Sequence, residues 1–104
     1  MVRIPTDRVP THPGIIIREE FLVPLGLTQR DLADAILVPY QRVNEIINQK
    51  RGITPDTALR LAKYFGNRPD FWMNLQLRFD LYQAERTDNE DLKKIKTLKP
   101  APTS

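Results

Sequence analysis

The sequence predicts an all-α protein of five helices followed by a polar tail. Apolar residues recur at the three- and four-residue spacing of helices, and no segment alternates apolar and polar residues as a strand does. The nine prolines and four glycines fall mostly between these periodic segments. Because 104 residues suit a single domain, we assign an arm to residues 1–11, the folded domain to 12–86 and a flexible lysine-rich tail to 87–104.

Composition argues against several classes of protein. The chain has no cysteine and a single histidine, His12, so we expect no disulfide, thiol nucleophile, metal site or other cofactor. No apolar run approaches the roughly 18 residues of a membrane span, and no signal-peptide core stands at the amino terminus. We therefore expect a cytoplasmic protein that makes no membrane contact.

Charge is unevenly distributed along the chain. Residues 39–68 hold six basic and two acidic residues, a net charge of +4, whereas residues 69–91 hold two basic and six acidic residues, a net charge of −4. The tail from residue 92 adds four lysines and no acid. A basic middle beside an acidic segment indicates two surfaces with different tasks.

The first predicted helix follows a His-Pro-Gly sequence at residues 12–14 and ends near Leu25. Gly26 suits the left-handed position after a helix, and Pro24 should distort the last turn at most. The apolar stripe of this helix consists of Ile16, Ile17, Phe21, Leu22 and Leu25.

Two short helices are predicted next, at residues 28–36 and 39–48. Thr28 can cap the first of them, with Asp31 completing a capping box, and Pro39 is tolerated at the start of the second. We expect their facing sides to be buried against each other, through Leu32, Ala33, Ile36, Val43, Ile46 and Ile47.

The fourth helix starts at Pro55 after the cap Thr54 and ends at Gly66. Its predicted core face consists of Ala58, Leu59, Leu61, Ala62 and Phe65. The fifth helix runs from Pro69 to about residue 85, capped by Arg68 or Asn67. Its apolar stripe consists of Trp72, Leu75, Phe79 and Tyr82.

The second and third helices are predicted to form a helix-turn-helix arrangement over residues 28–48. In DNA-binding proteins with this arrangement, the latter helix enters the major groove. At about 100° per residue, the side opposite its buried face carries amide, guanidinium and carboxylate groups. Gln and Asn pair with adenine, Arg with guanine, and Glu accepts from cytosine, while Lys and Arg neutralise phosphates. The predicted DNA-contacting residues are Gln29, Arg30, Tyr40, Gln41, Arg42, Asn44, Glu45, Asn48, Lys50 and Arg51.

Each of these assignments has a plainer alternative. The polar residues of the third helix could be only its solvated face, and Tyr40 suits edge packing as well as DNA contact. His12 is better explained by capping or packing than by catalysis. The stripe of the fifth helix could simply close the core, but it is long enough that we expect Leu75, Phe79 and Tyr82 to meet a second copy.

A family resemblance covers residues 12–81. Its most specific parts are HPG, LGLTQRDLA, NEIINQKRGITPDTALRLA and PDFWMNLQLRFDL. In these segments the chain resembles the HigA-type antitoxins, also called virulence-associated protein I, of the lambda-repressor-like helix-turn-helix group. One departure is Ile15, where the family pattern usually has an acidic residue after HPG.

The resemblance implies a five-helix lambda-repressor-like domain in a homodimeric bacterial regulator. Members of that family repress their own operon and neutralise an mRNA-cleaving toxin of the HigB/RelE type. A dimer places two recognition helices about one DNA turn apart (roughly 34 Å), so we expect a palindromic operator. Two other functions fit the residues: a stand-alone repressor without a toxin, and a module that uses the same helices on a protein target. An enzyme is not expected, because the sequence shows no nucleophile–base pair, phosphate loop or metal set.

Overall fold

Helices make up all the regular structure of residues 9–99, the part of the chain that the computed structural model describes. Within these residues there is no β-strand, so the all-α prediction is confirmed. No helix in this range is long and apolar enough to cross a membrane. The elements are α1 Pro13–Ile16, a π-helical segment Ile17–Leu22, α2 Val23–Leu25, α3 Gln29–Ile36, α4 Tyr40–Ile47, α5 Pro55–Phe65, α6 Pro69–Thr87 and α7 Asn89–Lys94.

The first predicted helix corresponds to α1, the π-helical segment and α2, which follow one another without a break. At the end of the π-helical segment, the N–H of Val23 donates to the carbonyl of Arg18, five residues back. Pro24, which has no N–H and whose ring crowds the carbonyl four residues earlier, lies just beyond. The distortion therefore covers more than the last turn, contrary to the prediction. Gly26 ends the helix with a φ of 66°, as expected.

Local capping positions α3 and α4. Thr28 Oγ1 accepts from the Asp31 N–H at 3.0 Å, and the Asp31 carboxylate accepts from the Thr28 N–H at 2.9 Å, which confirms the capping box. Leu37 follows α3 as its carboxyl-terminal cap, and its φ of 61° turns the chain toward the next helix. Pro39 occupies the cap position of α4, so this helix begins one residue later than predicted.

The predicted interface between α3 and α4 is confirmed. Each of its apolar side chains is at most 5% exposed, and burying a leucine, isoleucine or valine side chain stabilises the fold by about 1.5–3 kcal/mol. This packing determines how α4 is presented to solvent. The buried residues are Leu32, Ala33, Ile36, Val43, Ile46 and Ile47.

An aromatic cluster joins α5 and α6 to the first helix. Trp72 is fully buried, with the rings of Phe21, Phe65 and Phe71 centred 5.0, 6.0 and 4.9 Å away. Asn67 accepts a hydrogen bond from the Trp72 indole at 2.8 Å. The Asn67 side chain therefore binds the aromatic cluster rather than capping α6. Arg68 occupies the cap position of α6, but its side chain makes no capping hydrogen bond.

Three apolar residues differ from their predicted positions. Leu25 and Leu59 are 60% and 59% exposed, so neither contributes to the core face assigned to it. Leu75 is only 4% exposed within the protomer, which leaves almost no surface for a second copy. The prediction that Leu75 lies in a dimer interface is therefore wrong: α6 turns this residue toward the core, together with Trp72. Phe79, half-buried, packs its ring against His12 at 4.9 Å.

The predicted tail is partly helical. α6 continues to Thr87, and α7 follows after Asp88, with acidic residues in its first turn and Lys93 and Lys94 in its last. This pattern favours a helix because it matches the helix dipole, and it corrects the expectation of a tail without regular structure. None of the residues of α7 is buried. Parts of the predicted arm and tail, residues 1–8 and 100–104, lie outside the described residues.

Candidate nucleic-acid interface

The free side of α4 lies opposite its buried residues and carries the predicted base-contacting groups. Gln41 and Asn48 are exposed, and Arg42, Asn44 and Glu45 are half-buried. Since α4 is only 8 residues long, these side chains occupy one small surface. The helix thereby presents amide, guanidinium and carboxylate groups side by side.

Gln29 and two asparagines form a hydrogen-bonded row across α3 and α4. Asn44 Nδ2 donates to Gln29 Oε1 at 3.0 Å, and Asn48 Nδ2 donates to Asn44 Oδ1 at 3.1 Å. Each amide has more donor and acceptor sites than these bonds use. The row therefore restricts the orientation of the amides while leaving them able to bind a ligand.

Glu45 is the centre of a second network. Its carboxylate accepts from Arg51 Nε at 2.9 Å and from Gln41 Nε2 at 3.1 Å. The hydrogen bond from Arg51, and next the bond from Gln41, lower the pKa of the Glu45 carboxyl. Glu45 is consequently ionised at neutral pH and holds the Arg51 guanidinium beside α4.

Tyr40 and Arg30 stack at the amino-terminal end of α4. The Arg30 guanidinium carbon lies 4.7 Å from the centre of the Tyr40 ring, a cation–π contact. Tyr40 is 40% exposed, so it is not closed off as a core side chain. The contact brings together two predicted DNA-contacting residues from adjacent helices.

Arg42, a predicted base-contacting residue, forms an ion pair with α5 in the structure. Its Nη1 lies 3.5 Å from Asp56 Oδ2, and Asp56 also pairs with Arg60 at 3.1 Å. Arg60 in turn donates to the carbonyls of Ile36 and Leu37 at 2.9 and 3.2 Å. Arg60 thereby supplies hydrogen-bond donors to carbonyl groups at the end of α3 and in the turn before α4, and the ion pair of Arg42 connects α4 to α5.

Asp56 and Arg60 were not predicted as part of the site. Their spacing of four residues on one helix indicates an ion pair and could have drawn attention to them. Their contacts with Arg42 and with the end of α3 join residues far apart in sequence, and no local pattern reveals such contacts.

Lys50 and Arg51 lie in the turn that follows α4. Gln49 adopts a left-handed φ of 63°, and the Lys50 N–H donates to the Glu45 carbonyl at 2.8 Å. Both basic side chains are exposed. The turn therefore presents two cations at the carboxyl end of α4, as the sequence predicted.

The His-Pro-Gly sequence at the start of α1 packs against the backbone of α4. His12 Nδ1 accepts from the Gly14 N–H at 2.9 Å and caps α1. A Cβ atom at Gly14 would collide with the backbone carbonyl of Ile46, so only glycine permits this approach of α1 to α4. Burial lowers the pKa of His12, and the charge of Asp80 partly opposes this effect. His12 thus both caps and packs, as the sequence suggested.

Chemically, this surface is suited to binding rather than to bond-making. Amides and guanidinium groups match base edges, and exposed cations match phosphates. Among residues 9–99, no group of His, Asp and Glu side chains is placed to hold a metal ion.

Comparison with known proteins agrees with this geometry. The family model described as Helix-turn-helix matches residues 17–72. Virulence-associated protein I of Dichelobacter nodosus is 52% identical over 75 residues, which is 72% of this chain and 69% of that protein.

Two solved structures share the fold. PA4674 from Pseudomonas aeruginosa, in complex with its 18-bp operator DNA, superposes with a TM-score of 0.82 at 38% identity, covering 86% of this chain and 96% of that one. An addiction module antidote protein of a HigA family from Coxiella burnetii has a TM-score of 0.81 at 41% identity, with coverage of 88% and 99%. The protein therefore belongs to the helix-turn-helix family and, within it, to the group that contains the HigA antitoxins and virulence-associated protein I.

Proposed function

We propose that the protein is a sequence-specific DNA-binding repressor and the antitoxin of a toxin–antitoxin pair. The observation that carries the proposal is the free side of α4, where hydrogen-bonded amides and a paired carboxylate stand opposite a fully buried apolar face. Side chains held in this way lose less conformational freedom when they bind. The protein acts by binding and not by catalysis, in the cytoplasm, where the operator lies.

We assign two roles within the surface. Gln41, Asn44 and Asn48 read base edges in the major groove, because their amides can pair bidentately with adenine. Lys50 and Arg51 neutralise phosphates. Gln29, Arg30, Tyr40, Arg42 and Glu45 are also assigned to the interface, as direct contacts or by orienting these groups.

The likeness to PA4674, which was solved on its operator, supports DNA as the ligand. The likeness to the HigA family supports the antitoxin role, with a HigB/RelE-type mRNA-cleaving toxin as the partner. In this role the protein neutralises the toxin and represses the operon that encodes both.

We further propose a homodimer, because two recognition helices about one DNA turn apart (roughly 34 Å) are needed to read a palindromic operator. Since Leu75 is in the core, the contact is assigned to the outward side of α6. Leu77 and Leu81 are 54% and 55% exposed there and lie one turn apart. At about 100° per residue, Tyr82 lies roughly 120° and Phe79 roughly 180° around α6 from these leucines, on the side that carries Leu75.

DNA binding is tested by fluorescence anisotropy with a duplex from the region upstream of this protein's own gene. A scrambled duplex of equal composition is the control, and both are titrated at two salt concentrations. We expect tight binding to the native duplex alone, weakening steeply with salt. Equal weak binding to both duplexes would contradict sequence-specific recognition by α4.

The antitoxin role is tested by co-expression with the product of the neighbouring gene. We expect the two proteins to purify together and the neighbouring product alone to cleave mRNA and arrest growth. A neighbouring product that is harmless and does not associate would leave a stand-alone repressor, provided that the operator is still bound.

A further inference from the structure

We propose that Gln76 is a positioning residue for DNA binding, which holds the loop of residues 49–53 in the conformation that presents Lys50 and Arg51. The inference rests on the proposed DNA-binding function and extends it to a residue of α6 that is remote from the DNA-contacting surface in sequence.

Gln76 is a buried polar residue with both ends of its amide in use. It is 8% exposed. Its Oε1 accepts from the Ile53 N–H at 2.7 Å, and its Nε2 donates to Asp80 Oδ1 at 2.9 Å. Because the Ile53 N–H is buried, losing its acceptor would leave an unsatisfied donor that water cannot readily reach. The loop is therefore tied to α6 by a bond that is costly to break.

Gly52 allows the loop to pass directly over the Gln76 amide. A Cβ atom at Gly52 would lie 2.8 Å from Nε2 and 2.9 Å from Oε1 of Gln76. Real Cβ atoms do not approach other atoms so closely, so any larger residue would displace the amide or the loop. The glycine and the glutamine thus fit each other, although 23 residues separate Ile53 from Gln76.

The carboxyl end of α4 and the loop after it are held from two sides. Gly14 of α1 lies against the backbone of Ile46 and Ile47, and Gln76 of α6 holds the backbone at Ile53. Lys50 and Arg51 lie between these two fixed points. A loop held in this way presents its cations without having to be ordered on binding, which lowers the entropic cost of contacting phosphates.

The main test is Gln76→Met, which keeps the length of the side chain and removes both hydrogen bonds. We expect the Kd for the operator duplex to rise about tenfold. The salt dependence should become shallower, because contacts from the loop cations are weakened, while base preference is unchanged. Anisotropy is measured at a temperature at which circular dichroism shows the variant to be fully folded.

A pair of variants tests whether Gln76 acts through its hydrogen bonds or only through the volume of its side chain. Gln76→Glu keeps an acceptor for Ile53 but sets a carboxylate against Asp80, so affinity should fall. Adding Asp80→Asn supplies an amide donor to the new carboxylate, and the double variant should recover the wild-type Kd to within about threefold. If the double variant binds as weakly as Gln76→Met, the hydrogen bonds are not what matters and the proposal is overturned.

Leu22→Val is the matched control, because it removes one methylene from a buried side chain of the π-helical segment. It should lower the melting temperature without changing the Kd. If Gln76→Met behaves like this control, Gln76 is only a stability residue and the inference fails while the proposed function stands. If the wild-type protein binds no duplex, the proposed function itself fails and the inference with it.

Discussion

The helices α4 and α6 differ in how their apolar residues are divided between the core and the solvent. α4 buries its aliphatic residues Val43, Ile46 and Ile47 and offers solvent a polar side whose groups bond to one another. α6 is apolar on both sides. Trp72 and Leu75 face the core, whereas Leu77 and Leu81, on the other side, are more than half exposed.

This difference indicates what each helix can bind. A side that is polar and already hydrogen-bonded is suited to a polar ligand, and base edges in a DNA groove are such a ligand. An outward apolar side gains free energy when another protein covers it. The comparison therefore favours the proposed division, with DNA on α4 and a protein contact on α6, and the following predictions test it.

The largest effect on stability is expected where Gly14 of α1 packs against α4. Gly14→Ala places a methyl group against the Ile46 carbonyl, so α1 and α4 must separate, which should cost about 3 kcal/mol of unfolding free energy. Gly26→Ala is the control, since its Cβ meets open space and only the left-handed φ is strained, at about 1–2 kcal/mol. Urea titrations of both variants measure the difference, and equal losses would contradict a close contact at Gly14.

On α6, replacing Leu77 and Leu81 together by Glu should give monomers. Because a dimer engages two half-sites at once, the affinity for the operator should fall about a hundredfold. Light scattering gives the mass and anisotropy gives the Kd. The control is Leu59→Glu on α5, which is equally exposed in the wild type and should leave both unchanged. An unchanged mass of the double variant would exclude this side of α6 as the dimer contact.

On α4, Gln41→Ala should relax the base preference at one position in each half-site and cost about 1–3 kcal/mol of binding free energy. Gln83→Ala, which makes the same change at an exposed position of α6, should have no effect. Lys50→Ala should instead weaken binding to all duplexes alike and reduce the salt slope by about one. Competition titrations with single-base operator variants separate the two patterns, and a base-specific effect of Lys50 would contradict its assigned role.

The smallest effect is a dependence of stability on pH. Burial lowers the pKa of His12 in the folded state, so the unfolded chain binds its proton more readily. The resulting stability is present above the ordinary histidine pKa and is lost as pH falls through the lowered value. Melting temperatures between pH 7 and pH 5 should therefore drop more for the wild type than for His12→Asn, which can still cap α1 but does not titrate. Parallel curves for the two proteins would contradict this assignment.

Much of the fold could be predicted because its signals are local. The capping box of Thr28 and Asp31 and the left-handed Gly26 and Gly66 were all identified from neighbouring residues. Leu59 and Leu25 were misplaced because periodicity indicates which residues share a helix side but not how wide the buried part of that side is. The family motifs indicated the membership that comparison with known proteins established.

The sequence by itself determined the five main helices, the capping box at Thr28 and the set of polar residues on α4, because these depend on spacing within a few residues. Only the tertiary structure decided that Leu75 belongs to the core, that Arg42 pairs with Asp56 and that Gln76 holds Ile53. Each of these depends on how separate helices pack. Packing distances and angles arise from the whole core at once, and they are not encoded in any short segment of the chain.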